Sequence, residues 1–207
     1  KIEPSTAIYV SMGLLISGSV LLLFTTNFTT FLVGLFTFFW YNGVYTPLKR
    51  KTAFAIIPGA LVGALPPVAG WTAAGGELLD GRIIMIAAYF FIWQIPHFWL
   101  LLMLYGNDYE KGGFPTLNKV FAPEQLKRIT FMWLIGNVMT AMMIPLFLYI
   151  NYMASFIALC VISAWMIGVS IKFLRRETER KSIRNTFIAI NFYTLLLITI
   201  LSIDKLI

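Results

Sequence analysis

Cationic side chains and a carboxylate that could hold a phosphorylated ligand stand at the ends of two apolar stretches. Lys49 and Arg50 follow the first stretch, and Asp108 and Lys111 follow the second. Lysine and arginine bind anionic oxygens, and a carboxylate can hold a hard divalent ion such as Mg²⁺ that bridges to phosphate. These residues predict a magnesium-dependent phosphate site. The alternative is an ordinary basic loop with one partner acid.

The single histidine, His97, lies eleven positions before Asp108 in the same apolar stretch. In one continuous helix, eleven residues make close to three turns, so both side chains would share a face, about 16 Å apart along the axis. A helix that ended at Gly106 would break this alignment. Beside Trp93 and Gln94, the imidazole either contacts a substrate or hydrogen-bonds a neighbouring helix, since intramembrane polar groups face the bundle interior. One histidine excludes a bis-histidine haem site and a multi-histidine metal site.

The composition is typical of a membrane protein with several spanning helices. Of 207 residues, 59% are hydrophobic and 12% are charged, against roughly 25% charged in soluble domains. The mean hydropathy is +0.81, and a spanning helix needs about 20 apolar residues. The long uncharged runs therefore predict an all-α polytopic protein, with one domain over residues 1–207 and seven spans. The predicted spans are residues 7–24, 28–46, 54–72, 83–105, 129–148, 153–173 and 186–203.

The positive charges are unevenly distributed between the connecting loops. The net charge is +7, and of sixteen lysines and arginines only Arg82 and Lys205 lie outside if the N-terminal end is inside. This positive-inside pattern puts Asp108 and the basic loops at 47–52 and 172–184 on the cytoplasmic side. Basic residues in short loops between spans are typical of a protein in a lipid bilayer. They do not indicate a nucleic-acid-binding protein.

The third predicted span is unusually rich in glycine and proline. Small residues let helices approach closely, so one interpretation is a kinked helix that packs tightly against its neighbours. The other is that the kinks widen an internal cavity. Pro96, in the fourth span, predicts a further kink, because proline removes the hydrogen bond to the carbonyl four residues earlier. The residues of the third span are Pro58, Gly59, Gly63, Pro66, Pro67 and Gly70.

Four motifs occur in an order and at spacings that resemble the UbiA-type intramembrane prenyltransferases, in particular the branch of haem O synthases. They are YTPLKRKT at 45–52, PGALVGALPPVAGW at 58–71, WQIPHFW at 93–99 and DYEKGGFP at 108–115. The resemblance implies a nine-helix bundle whose cytoplasm-facing cavity binds Mg²⁺ and farnesyl diphosphate through two aspartate-rich motifs. The seven spans resemble family helices three to nine. The first aspartate-rich motif has no counterpart, so the chain is expected to be truncated at its start and inactive alone.

The resemblance also implies roles for individual residues. Tyr45 and Lys49 match the family's YxxxK motif at the diphosphate, and Asp108 matches the second acidic motif. These three are the predicted catalytic residues, with Asp108 also the predicted Mg²⁺ ligand. The reaction implied is transfer of the farnesyl group to a vinyl group of haem b, which gives haem O. The predicted substrate-binding residues are Arg50, Trp93, Gln94, His97, Tyr109 and Lys111.

Two other functions are compatible with these residues. The first keeps the prenyl transfer but changes the acceptor to a quinone precursor or another aromatic ring. The second is a non-catalytic bundle or transporter, which is typically built from inverted repeats with paired broken helices. The resemblance further predicts the inner membrane of a bacterial cell, an active site facing the cytoplasm, and a second copy of the chain or haem A synthase as protein partner.

Overall fold

The apolar runs of the sequence fold into long helices joined by short polar turns. The structure, a computed structural model, describes residues 3–176 and 179–206, and every regular element within them is helical. The α-helices are α1 (Pro4–Thr25), α2 (Phe28–Phe39), α3 (Thr46–Leu48), α4 (Ile56–Ala73), α5 (Gly81–Lys111), α6 (Pro123–Phe147), α7 (Met153–Arg175) and α8 (Arg180–Leu206). A π-helical turn, Trp40–Tyr45, joins α2 to α3, and short 3₁₀ turns cover Ala53–Ala55 and Leu117–Lys119.

Seven of these segments account for the predicted spans. Among the described residues, six helices are long and apolar enough to cross a membrane: α1, α5, α6, α7, α8 and the helix over Ala53–Ala73. The seventh is composite, because α2, the π turn and α3 follow one another without a break from Phe28 to Leu48. Together they reach the roughly 20 residues that a span needs. The prediction of an all-α polytopic protein with seven spans is confirmed.

Helix α5 lies at the centre of the packing. It contacts α4 and α6, its neighbours in the chain, and also α8. Fully buried Ile95 and almost fully buried Trp99 of α5 belong to one apolar cluster with Ala60 of α4 and Leu126 of α6. Tyr89 of α5 donates or accepts a 2.7 Å hydrogen bond with Thr194 of α8. These contacts hold α5 on three sides.

The backbone of α5 is irregular at a different residue from the one expected. The helix does not end at Gly106 but continues to Lys111, and its one residue with non-helical angles is Tyr105, at φ −127° and ψ 16°. Pro96 lies inside the helix with helical backbone angles. Gly106 serves close packing, since a Cβ atom added to it would be 2.1 Å from Asn118 Nδ2 in the following loop.

Side-chain contacts stabilise the two ends of α5. At its start, Asp80 accepts hydrogen bonds from the backbone and the guanidinium of Arg82. These bonds lower the pKa of Asp80 to about 2, well below its usual range. In its last turn, Glu110 accepts a 2.6 Å hydrogen bond from Thr116 and lies 3.8 Å from Lys119. The loop that carries the last residues of the DYEKGGFP motif is therefore tied back onto the helix.

Candidate active site

The π-helical turn aligns Lys49 with two tyrosine rings. In a regular α-helix, residues eight apart are rotated by about 80° from each other. The π turn takes one extra residue per turn and so brings Tyr41, Tyr45 and Lys49 onto one line. The two rings lie 5.5 Å apart, and the Lys49 ammonium lies 5.4 Å from the Tyr45 ring centre and 6.0 Å from that of Tyr41.

Helix α4 anchors this turn through its small residues. Trp40 Nε1 donates a 2.8 Å hydrogen bond to the Pro58 carbonyl. The ring of Tyr45 lies against Gly59, where an added Cβ atom would be 2.6 Å from the ring. One turn further on, Gly63 receives the side chain of Gln94 from α5. Gly59 and Gly63 thus serve close packing, which favours the first of the two interpretations of this span.

A small cavity separates the tyrosines from α5. Its volume is about 70 Å³, and Tyr41, Tyr45, Gly59, Gln94 and Phe98 are among its lining residues. Two segments that are distant in the sequence therefore meet here: the YxxxK turn and the WQIPHFW stretch. The Gln94 amide is the polar group that α5 contributes to this cavity.

One side of α5 is less buried than the other. At 100° per residue, Phe90, Gln94, His97 and Leu101 fall within one arc on this side, and buried Ile95 and Trp99 lie on the opposite side. Asp108 follows after Tyr105, whose backbone angles are not helical. The common face of His97 and Asp108, expected from one regular helix, therefore stays a prediction.

His97 lies between aromatic rings of α5 and α8. Its ring centre is 4.6 Å from that of Trp93, 5.3 Å from Phe98 and 5.0 Å from Phe187. Asn191 of α8 lies close by, and its side-chain amide donates a 2.6 Å hydrogen bond to the Phe187 carbonyl. Two buried polar atoms, His97 Nδ1 and Trp93 Nε1, have no hydrogen-bond partner among the described residues. Burying such atoms without a partner is unfavourable, so they suit a ligand with a polar edge.

Asp108 is an exposed carboxylate in the last turn of α5. Its side chain is 72% exposed and lies 3.8 Å from the Lys111 ammonium. Within residues 3–176 and 179–206, histidine, cysteine and acidic side chains form no group of three that could hold a metal. Mg²⁺, however, is commonly held by one or two carboxylates together with substrate phosphates. Asp108 therefore fits a magnesium ion shared with a diphosphate, and it does not fit a site made by protein alone.

The motifs at 45–52 and 108–115 lie close to each other. Tyr45 of the first motif is near Tyr109 of the second. The rings of Phe54, after the first motif, and Phe121, after the second, are 6.0 Å apart. Arg50 is exposed, and its side chain makes no contact that links it to Asp108 in the described part of the chain.

The family comparison agrees with this arrangement of motifs. Residues 1–195 match the UbiA prenyltransferase family. The chain belongs to the UbiA prenyltransferase family. No solved structure matches the chain significantly.

Individual members of this family resemble the chain over different lengths. The protoheme IX farnesyltransferase of Oleidesulfovibrio alaskensis is 33% identical over 207 residues, which are 100% of this chain and 71% of that protein. The enzyme of the same name from Geobacter sulfurreducens is 54% identical over 84 residues, 41% of this chain and 31% of that protein. The enzyme of the same name from Nitratidesulfovibrio vulgaris (Hildenborough) is 32% identical over 172 residues, which are 82% of this chain and 58% of that protein.

Several residues around the site of this UbiA-family chain were not predicted from the sequence. Tyr41 lies under Lys49, and Gly59 and Gly63 receive Tyr45 and Gln94. The repeat of Tyr41, Tyr45 and Lys49 at four-residue intervals was a usable signal. Phe187 and Asn191 carried no such signal, because their role depends on the antiparallel packing of α8 on α5.

Proposed function

We propose that this protein transfers the farnesyl group of farnesyl diphosphate to a vinyl group of haem b, giving haem O. Support comes from the relative named protoheme IX farnesyltransferase that matches the whole chain. The observation that supports the proposal is that α5 carries both groups. Asp108 lies in its last turn, near the YxxxK turn. His97 lies eleven residues earlier among aromatic rings, and its Nδ1 atom has no hydrogen-bond partner among the described residues.

The diphosphate end of the reaction is assigned to the cytoplasmic motifs. When the bond between farnesyl C1 and the diphosphate oxygen breaks, the electron pair leaves with the diphosphate and C1 becomes cationic. Lys49, Arg50 and Lys111 stabilise the negative charge where it develops. A magnesium ion held by Asp108 and the diphosphate oxygens would supply Lewis-acid stabilisation of the same charge. The faces of Tyr41 and Tyr45 stabilise the cationic end.

The acceptor end is assigned to the aromatic surroundings of His97. The vinyl electron pair forms the new carbon–carbon bond to C1, which leaves a cation on the carbon next to the porphyrin. A water molecule adds to that cation and releases a proton, so the product carries a hydroxyethylfarnesyl group. Reacting atoms must approach to about 3–3.5 Å, so the vinyl group lies near the diphosphate. The porphyrin is wide enough to extend from there towards His97, about 16 Å from Asp108 along the helix.

The acceptor could instead be a quinone precursor, which the family match alone allows. Such a precursor usually carries an acidic or hydroxyl group, for which a cation at the depth of His97 would be the expected partner. Between Lys51 and Arg82, and between Arg82 and Lys111, the sequence has no lysine or arginine. An imidazole beside Trp93 and Gln94 suits a large flat ring with polar edges. We therefore favour haem.

The cellular setting follows from the charge distribution. The protein is an integral membrane protein with several spanning helices. We infer that it lies in the inner membrane of a bacterial cell with its active site facing the cytoplasm, because the basic loops are expected there. A second copy of the chain and haem A synthase are the proposed protein partners.

A haem-binding titration of a His97 variant tests the acceptor assignment. His97→Ala should weaken haem b binding in a difference-spectrum titration by about tenfold and leave farnesyl diphosphate affinity within about twofold, because the imidazole contacts only the acceptor. The matched control is Phe187→Leu, which removes an aromatic neighbour but no hydrogen-bonding atom. Unchanged haem binding by His97→Ala would contradict the assignment.

A further inference from the structure

A basic cleft between α7 and α8 lies outside the site described above. Its volume is about 200 Å³, and its lining includes Lys172, Arg176, Ser182, Asn185 and Trp165. Lys172 lies in the last turn of α7, and Arg176 is the residue directly after the helix, whose backbone N–H donates to the Lys172 carbonyl. Both side chains line the cleft. Ser182 and Asn185 lie in the first turns of α8 and line the same cleft. Two cations and two polar side chains thus converge at the cytoplasmic end of the helix pair.

The two cations are available for a ligand. Within residues 3–176 and 179–206, neither Lys172 nor Arg176 forms an ion pair. Both residues are exposed. An anionic group in the cleft could therefore bind both without displacing an existing partner.

The lower part of the cleft is apolar and open to the membrane. Trp165 lies eleven residues before Arg176, about 16 Å deeper along the helix axis. It packs edge to face with Phe192 of α8 at 6.2 Å, and the two side chains are 41% and 50% exposed. Neighbouring Ile188 is 55% exposed. A molecule with an anionic head in the cleft would find an apolar path for its tail.

The position of the C-terminal end of α7 is fixed by a buried lysine. Lys127 of α6 is 3% exposed, and its ammonium donates a hydrogen bond to the Arg176 carbonyl. A cation at this end of a helix is stabilised by the helix dipole. The contact holds the last turn of α7 against α6, so the upper rim of the cleft is built on a fixed element.

We propose that this cleft binds the phosphate of an anionic phospholipid of the cytoplasmic leaflet, with one acyl chain along Trp165 and Phe192. Basic pockets between spanning helices on the cytoplasmic side are known to suit anionic headgroups. A phospholipid would contact both the basic upper part of the cleft and the apolar surface below it. Free phosphate would contact only the basic upper part. The site does not depend on the proposed prenyl transfer.

Lipid titration of the detergent-purified protein, followed by native mass spectrometry, tests the proposal. The probes are phosphatidylglycerol, phosphatidylcholine and inorganic phosphate. The first phosphatidylglycerol should bind at least about tenfold more tightly than phosphatidylcholine, because only its headgroup has a net charge to pair with the two cations. Millimolar inorganic phosphate should not displace it, because the acyl chain adds affinity.

Charge-matched variants separate the cleft from the general surface charge. Lys172→Gln with Arg176→Gln should lower phosphatidylglycerol affinity by about tenfold or more, since two charged contacts are lost. The control, Lys181→Gln with Arg184→Gln, removes the same net charge from exposed residues in the first turns of α8 that do not line the cleft. It should change the affinity by less than about threefold. Equal losses in both variants, equal binding of the two lipids, or full displacement by phosphate would each overturn the proposal. Lys172→Gln alone provides the same comparison if the double variant is unstable.

Discussion

Gln94 on α5 lies so close to Gly63 on α4 that a Cβ atom added to Gly63 would be 1.6 Å from Gln94 Oε1. The contact sets the direction of the amide, which lines the small cavity beside Tyr41 and Tyr45. The nearest atom belongs to the end of a flexible side chain. A larger residue at position 63 would therefore move the amide more easily than it would move the helix.

Gly63→Ala is accordingly expected to displace Gln94 while the protein still folds. Loss of one well-placed hydrogen-bonding group should weaken haem b binding by about 2- to 10-fold in a difference-spectrum titration. The control is Gly70→Ala on the same helix, where an added Cβ atom meets nothing within 4 Å. That variant should bind haem normally and unfold at the same or a slightly higher temperature. If Gly63→Ala and Gly70→Ala bind haem b with the same affinity, Gln94 does not contribute to haem binding.

Tyr41 is expected to position Lys49 through its aromatic face. Tyr41→Phe keeps the face and should keep activity, whereas Tyr41→Leu should lower kcat/KM for farnesyl diphosphate by about 2- to 5-fold, the effect of an exposed cation–π contact. Tyr152→Leu is the control, because Tyr41 and Tyr152 are both 42% exposed and Tyr152 lies at the far end of the bundle. A loss in Tyr41→Phe as large as in Tyr41→Leu would point to the hydroxyl and contradict the cation–π interpretation.

Asp108→Asn should abolish most of the activity without affecting folding. The substitution keeps the shape and removes the charge that would hold Mg²⁺, and one such electrostatic contact typically contributes about 100- to 1000-fold in rate. Folding should survive, because the side chain is 72% exposed. Glu110→Gln is the comparison. The Glu110 carboxylate accepts a hydrogen bond from Thr116 and pairs with Lys119, so this substitution should lower the stability of the loop more than it lowers kcat. Near-normal turnover of Asp108→Asn with saturating Mg²⁺ would make Asp108 a bystander.

The local elements could be predicted from the sequence because the determining signals are themselves local. Uncharged runs of about 20 residues predicted the spans. The alternative that α5 ends at Gly106 does not hold, because the helix continues to Lys111. The interruption is one residue earlier, at Tyr105, whose backbone angles are not helical, whereas Pro96 keeps helical angles.

The surroundings of His97 could not be predicted, because they come from another helix. Phe187 lies about ninety positions later in the chain, and its ring reaches the imidazole only because α8 packs on α5. The π turn at Trp40–Tyr45 was likewise unpredicted, since its apolar pattern does not differ from that of an α-helical turn. Interhelical contacts and helix register thus decide the site, whereas composition decides the fold class.

The identity of the product tests the central proposal most directly. Membranes containing the full-length protein are incubated with haem b, farnesyl diphosphate, Mg²⁺ and, in a parallel sample, an aromatic quinone precursor. The extracts are analysed by mass spectrometry. We predict a haem heavier by the conversion of one vinyl group to a hydroxyethylfarnesyl group, and no prenylated quinone precursor. Unmodified haem together with a prenylated quinone precursor would contradict the haem assignment and leave a UbiA-family prenyltransferase with a different acceptor.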